Sequence, residues 1–396
     1  MKNKRVLLTP VFFLAGASLF MGLYGGLYDP SFNNYLSQVH HLTEVARGGL
    51  EFPRELPGFL IAFIFTALIF LRDSRIAFLA ALMIGVSLWG QGFLAPDMRA
   101  VVFWMLLWST GAHLSMLLRS TLGLRLAEKG GEGRLLGQMG AYESAGALLG
   151  MLVVLFGVSR FNIGFGTIFA IAGSCAFIAA LMFIMIRPKP VKRPPRYLMF
   201  KKKYSLYYYL SMLFGARKQV FLTFAPWVLI KVFQSDVRVF AILGLIGTVL
   251  SLVIRPLIGR AIDGWGERKV IIVESLILVV ICSLYGMARH WFVPTLALYV
   301  IMACFIMDQL LMAVTIARTT YLNRIADSPD DIAPTLSMGL TLDHAVSMTV
   351  PLGGGLLWAK YGYEWVFLAA GIIALINLFA AFSISERDNH VMTDNG

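Results

Sequence analysis

Apolar stretches of about 20 residues recur about a dozen times along this chain, the length a helix needs to cross a bilayer. The residues AVILMFWYC make up 58% of the 396 positions and DEKR only 14%. A water-soluble fold has no interior large enough to hide that much apolar surface, whereas a bilayer does not require it to be hidden. Lipid offers backbone groups no partner, so the spans must be helices, and the alternation of a membrane barrel is absent. The expected class is an all-α membrane protein with twelve transmembrane helices.

We place the spans at 7–35, 45–71, 76–95, 99–120, 134–157, 163–186, 206–231, 238–258, 269–288, 292–318, 334–357 and 363–384. The run after Met1–Arg5 is long and lacks a small-residue cleavage site, so it reads as the first span and not a signal peptide. Cys175, Cys282 and Cys304 lie far apart in apolar segments, which argues for inert buried thiols and against a disulfide framework or a metal site.

The net charge of +12 is not a nucleic-acid signature, because most of the Lys and Arg falls in connections on one side. That side includes Lys2, Lys4, Arg5, Arg72, Arg75, Arg119, Arg125, Arg260, Arg268, Lys269, Arg318 and Arg324. The bias puts both termini in the cytoplasm of an inner (plasma) membrane, which an even number of spans permits. The most basic connection, Arg187 to Lys203, carries four prolines and divides the chain. The expected organisation is a six-helix bundle over 1–186, a basic linker over 187–205 lying along anionic headgroups, a second bundle over 206–385, and a tail over 386–396.

The two halves repeat. Arg119-Ser-Thr-Leu-Gly-Leu-Arg125 is echoed by Arg318-Thr-Thr-Tyr-Leu-Asn-Arg324, and Met139-Gly140 by Met338-Gly339. An acid follows each of the latter pairs, Glu143 and Asp343, one residue out of register. Two like-oriented halves imply a pseudo-twofold axis along the membrane normal with a central cavity. Between spans 8 and 9 the chain reads Gly259-Arg-Ala-Ile-Asp263-Gly-Trp-Gly266-Glu-Arg268-Lys269, with a first-half remnant Asp73-Ser-Arg75.

That loop resembles the cytoplasmic signature of the major facilitator superfamily, G-x-x-x-D-R-x-G-R-[RK], departing from it at Gly264 and Glu267. Together with twelve spans, a basic middle linker and repeated halves, the resemblance covers almost the whole chain. It implies a secondary transporter working by alternating access, without a cofactor. The loop would then be a cytoplasmic gate, with Gly259, Asp263, Gly266, Arg268 and Lys269 as its motif and Arg268 or Arg260 pairing with Asp263. The Pro of the drug-antiporter pattern is missing from span 5, where Gly146 and Gly150 form a small-residue packing face.

Charges inside spans mark the candidate site, because each costs at least about 2.5–3.5 kcal/mol at the bilayer centre. Glu143, Asp308 and Asp343 fall near mid-depth, as do Arg217 and Lys218. The last two are adjacent on a helix and point about 100° apart. They either bind an anionic solute or neutralise Asp308 and Asp343; sequence leaves both open. Glu143, Asp308 and Asp343 are the candidates for proton coupling, with His344 and His113 as further titratable groups. Asp29 in span 1 and Glu51, Arg54 and Glu55 at the start of span 2 form a second cluster, either an outer gate or an ion-paired helix start. Glu274 reads as part of the cytoplasmic gate.

No P-loop, H-E-x-x-H or nucleophile elbow is present, so the chain is not expected to be an enzyme or an ATP-driven pump. The expected partners are a small organic solute, anionic under the first reading of the cations, protons and the lipid bilayer, with the chain acting as a monomer. Efflux of amphipathic compounds is the alternative within transport, and a non-transporting sensor or assembly factor the alternative outside it.

Overall fold

The computed structural model describes residues 9–68, 70–127, 131–186 and 200–385. The first eight residues, most of the basic linker and the tail at 386–396 lie outside the described residues. Among the described residues the chain is helical, with no strand.

The helices are α1 (Pro10–Gln38), α2 (Glu44–Gly49), α3 (Glu51–Phe59), α4 (Ile61–Ala67), α5 (Asp73–Phe93), α6 (Met98–Leu126), α7 (Glu132–Phe161) and α8 (Phe165–Met185). They continue as α9 (Ser205–Lys231), α10 (Val237–Trp291), α11 (Pro294–Leu311), α12 (Thr315–Ile325), α13 (Pro329–Tyr361) and α14 (Tyr363–Phe382). With α2–α4 as one broken crossing, α10 as two and α11–α12 as one, the described residues make twelve crossings.

The breaks have local causes. Pro53 lacks an N–H and its ring crowds the carbonyl four residues earlier, that of Gly49, where the second crossing is interrupted at Leu50. The eighth and ninth crossings form one run of 55 residues, interrupted at Gly266 with φ 82 and ψ 163. The expected loop from Gly259 to Lys269 is therefore helical up to that glycine, the one residue type that tolerates the turn without strain. Helix starts follow the usual chemistry. Thr9, Asp97 and Ser328 cap α1, α6 and α13 with side-chain oxygens, and Pro10 and Pro329 occupy the first helical positions.

Among the described residues eight helices are long and apolar enough to cross a membrane, and large side chains such as Leu181, Val253 and Phe379 stay exposed on them. On a soluble protein such surface would aggregate; in lipid it is in its solvent. The chain is a multi-pass membrane protein. The helices outside that set of eight include α3, α9 and α13, which carry Glu51, Arg54, Glu55, Arg217, Lys218 and Asp343.

Two compact units emerge. The first holds α1, most of α3, α4 to α8 and the opening of α10 up to residue 248; the second holds α2 with Glu51, α9, the remainder of α10 and α11 to α14. In the first, small residues let backbones meet. Ala17 packs with Ala77, Ala80, Ala81, Ala179 and Ala180 around Leu14, Ile76, Leu114, Leu118 and Phe183. Gly22 and Gly26 of α1 lie against the Glu143 and Ala147 backbone of α7, and Gly146 and Gly150 of α7 lie against Leu19 and Leu23 of α1. These four glycines make the close crossing of the two helices, in which hydrocarbon supplies no drive and contact area must.

The second unit repeats the device. Gly215 of α9 lies against the Asp343 backbone of α13, as Gly22 of α1 lies against Glu143 of α7. The repeat read in sequence thus extends to which glycine meets which acid. Gly48 of α2 and Gly355 of α13 likewise face each other's backbones, at Pro351 and Glu44.

Candidate functional site

Most of the charges that the sequence places in the spans occur in pairs. In the second unit α9 presents Arg217 and Lys218 to different helices, as their adjacent positions require. Lys218 Nζ donates to Asp343 Oδ1 on α13 at 2.6 Å, and Ser347 Oγ donates to the same oxygen at 3.0 Å. Arg217 Nη1 donates to Asp308 Oδ1 on α11. Both cations are therefore engaged by acids.

Glu274, beyond the kink of α10, extends the chain of charges. It is fully buried, 2.9 Å from Arg318 Nη2 on α12 and 3.5 Å from Arg217 Nη2. Asp308, Arg217, Glu274 and Arg318 alternate in sign across four helices, and all are buried. The ring of Phe214 on α9 lies 4.7 Å from the Arg318 guanidinium, 5.5 Å from that of Arg217 and 5.7 Å from Lys218 Nζ. Such contacts favour cations over water loss. The sequence reading set Glu274 and Arg318 at the membrane edge. The structure places both inside the protein, because α12 runs on to Ile325 and carries Arg318 about two turns from the helix end.

A second buried polar group joins α2, α3 and α9. Glu51 Oε1 accepts from Arg47 Nη1 at 2.5 Å, and Glu51 Oε2 accepts from Gln219 Nε2 at 2.6 Å. Gln219 also reaches Thr223 Oγ1 at 3.4 Å. Arg47 and Gln219 were not among the sequence candidates. A lone Gln in an apolar helix was the signal that could have shown the second.

In the first unit Arg54 lies 3.1 Å from its neighbour Glu55, and Arg119 pairs with Glu143 across α6 and α7. Asp29 keeps an exposed side chain, and no ion pair holds it among the described residues. Arg54 and Glu143 are the charges that act on it. His113 Nδ1 lies 2.8 Å from Ser109 O and 3.1 Å from Ser109 Oγ; His344 is buried. Glu51 belongs to the second unit, and Arg54, Glu55 and Asp29 to the first.

The gate motif takes a specific form. Gly259, Asp263 and Lys269 lie at or near the kink of α10, with Asp263 and Lys269 exposed, and Arg268 lies over the Phe382 ring at 6.0 Å. The buried acid at this kink is Glu267, 3.4 Å from Arg324 Nε. In the first unit Asp73, first residue of α5, is fully buried against Arg125. Arg125 and Arg324 close the two repeated segments, so each half carries one acid at a helix start joined to one arginine at the end of the repeat. Each acid sits where the helix dipole favours negative charge.

Beyond the spans, Lys201 donates to Asp331 at 2.6 Å and Lys203 to Asp327; Tyr204, fully buried, donates to Asp331 at 2.5 Å and accepts from the Asp327 N–H at 3.0 Å. These two lysines of the basic linker are engaged by aspartates. The lysine hydrogen bonds hold both carboxyls below the ordinary aspartate range. Of the other linker cations, Lys202 is exposed and the rest lie outside the described residues.

No protein-family model and no curated protein matches the chain. Solved structures do. The nucleoside transporter NupG superposes with a TM-score of 0.74 over 95% of this chain and 98% of its own, at 13% identity. A D-xylose-proton symporter superposes at 0.70 over 95% and 97%, at 17% identity. A bacterial homolog of the human lysosomal transporter Spinster, inward-facing and occupied, superposes at 0.72 over 96% and 97%, at 14% identity. With twelve crossings, internal repeats and end-to-end superposition on these transporters, the chain has the major facilitator fold.

Proposed function

We propose that the chain is a secondary transporter that moves a small polar organic solute by alternating access, coupled to protons. Both termini face the cytoplasm, and the sequence halves 1–186 and 206–385 rock as two bundles about the linker at 187–205. The tail at 386–396 lies on the cytoplasmic side.

The observation that carries this reading is the matching of buried charge. Arg217, Lys218 and Arg318 face Asp308, Asp343 and Glu274, and Arg47 faces Glu51, all inside helices. A buried pair is weak evidence for stability, since apolar residues of similar size often do as well. Pairs that must break and re-form during a cycle are a better reason to keep such groups in lipid.

Charge parity also speaks to the solute. An anion needs a cation to spare, and these four cations are matched by four acids. The unmatched candidate, Asp29, is an acid. A neutral polar solute therefore fits better than an anionic one. The fold neighbours supply a parallel: one is named for nucleosides, another for a neutral sugar carried with a proton. The proton carriers among our candidates are Asp29, Glu143, Asp308 and Asp343.

The test is uptake into proteoliposomes under an imposed proton gradient, with a panel of nucleosides, pentoses and organic anions. We expect accumulation of a neutral solute that collapses with a proton ionophore. Accumulation of anions alone, or no gradient-dependent flux for any solute, contradicts the reading.

A further inference from the structure

We propose that Arg217 is a mobile counter-ion shared by Asp308 and Glu274, leaving Asp308 for Glu274 when Asp308 takes up a proton. The inference rests on the proton-coupled reading above and names the residues that perform the coupling.

The geometry offers the two states. One guanidinium nitrogen of Arg217 is hydrogen-bonded to Asp308, while the other faces Glu274 Oε1 at 3.5 Å, within ion-pair range. That Glu274 oxygen is buried and accepts no hydrogen bond, whereas Oε2 already accepts from Arg318. The acceptor that Arg217 needs after leaving Asp308 is thus in place and open. A planar guanidinium carries donors on both arms, so a small rotation exchanges one acid for the other. The Phe214 face beneath both arginines attracts a cation without fixing its orientation in the plane.

Electrostatics supplies the trigger. The four-member chain is neutral with both acids ionised. A proton arriving from water on one side binds a carboxylate oxygen of Asp308, which becomes neutral and releases Arg217. Glu274 then carries both arginines, and the chain holds one net positive charge. That state is costly in a dry interior and tolerable where water enters, so proton uptake is tied to hydration of this region. Loss of the proton to water on the other side returns Arg217 to Asp308. Other titratable or charged groups act on this chain: Cys282 and Tyr285 of α10 and Cys304 of α11 on Asp308, and Tyr207 of α9, which feels Arg318 and Asp343; Lys218 and Asp343 form a separate pair. Tyr285 is committed to the Ala225 carbonyl.

The test uses purified full-length protein in detergent, with the proton as the only probe. Proton uptake on stepwise acidification is measured with a pH dye, and the part lost in Asp308→Asn is assigned to Asp308. In the charge-balanced Glu274→Gln/Arg318→Gln background that part should need at least tenfold more protons, because Arg217 has no second acid to move to. An unchanged profile overturns the proposal. Glu274→Asp, which keeps the charge and shortens the reach, should shift uptake in the same direction and guards against misfolding of the double variant. Melting temperatures give a second readout. Asp308→Asn should cost more in the background lacking Glu274 than in the wild type, and additive losses overturn the proposal. Neither readout needs a solute. A shared counter-ion with no flux in vesicles sinks the transport reading alone; flux with an unchanged uptake profile sinks this inference alone.

Discussion

The glycines of α7 separate packing from propensity on a single helix. A methyl group at Gly146 or Gly150 would run into the backbone of α1 at Leu19 or Leu23, whereas nothing lies within 4 Å of a methyl at Gly137 or Gly140. Helix propensity favours Ala over Gly by up to about 1 kcal/mol at any of the four. At Gly146 and Gly150 that gain is overtaken, because the obstructing atoms are backbone and cannot turn aside. The whole of α1 would have to move away, and overpacking of this kind costs about 1–3 kcal/mol. We therefore expect Gly137→Ala and Gly140→Ala to be neutral or stabilising, and Gly146→Ala and Gly150→Ala to be destabilising. Thermal unfolding of the four detergent-purified variants decides it. Four shifts of the same sign and size would refute the close crossing of α1 and α7.

Glu274→Gln should cost about 3–5 kcal/mol, because two buried guanidiniums are left with one acid, and Arg318→Gln in the same molecule should recover part of it. A loss under about 1 kcal/mol, the value of an exposed pair, contradicts the buried chain. The Lys201–Asp331 and Lys203–Asp327 contacts should persist from neutral pH down to about pH 4, near the unfolded aspartate value. The folded carboxyls sit below that value, chiefly through the lysine hydrogen bonds, so their contribution is present above it and lost as pH falls through the folded one. Amide exchange at 327–331, corrected for intrinsic rates, should rise only in acid; protection lost already near neutrality contradicts this. Gly48→Trp should prise α2 from α13, so that a Cys at 355 reacts faster with a water-soluble thiol reagent than in the parent; equal rates contradict the contact.

Hydropathy made the crossings legible in sequence, since each must match the bilayer, and the repeat of Arg125 in Arg324 pointed to the halves. Pairing was not legible. Depth along one helix says how far a residue lies from water, not which helix stands beside it. Glu274 lies near a predicted end, so it read as an edge residue; only the packing of α9, α10 and α12 shows it joined to Arg217 and Arg318. Asp263 fits the spacing of the signature loop, and the structure adds a buried acid at the kink, Glu267, which follows Gly266. Arg217 and Lys218 could be read either as anion ligands or as partners of acids, and their different headings around α9 send them to α11 and α13.

Alternating access itself is tested most directly at Asp29. The native cysteines are all buried, so an Asp29→Cys variant lacking them carries one reactive thiol. Right-side-out and inside-out vesicles are treated with a membrane-impermeant maleimide. The account predicts labelling from both faces, with relative rates that change when solute is added. Labelling from one face only, with and without solute, would contradict it.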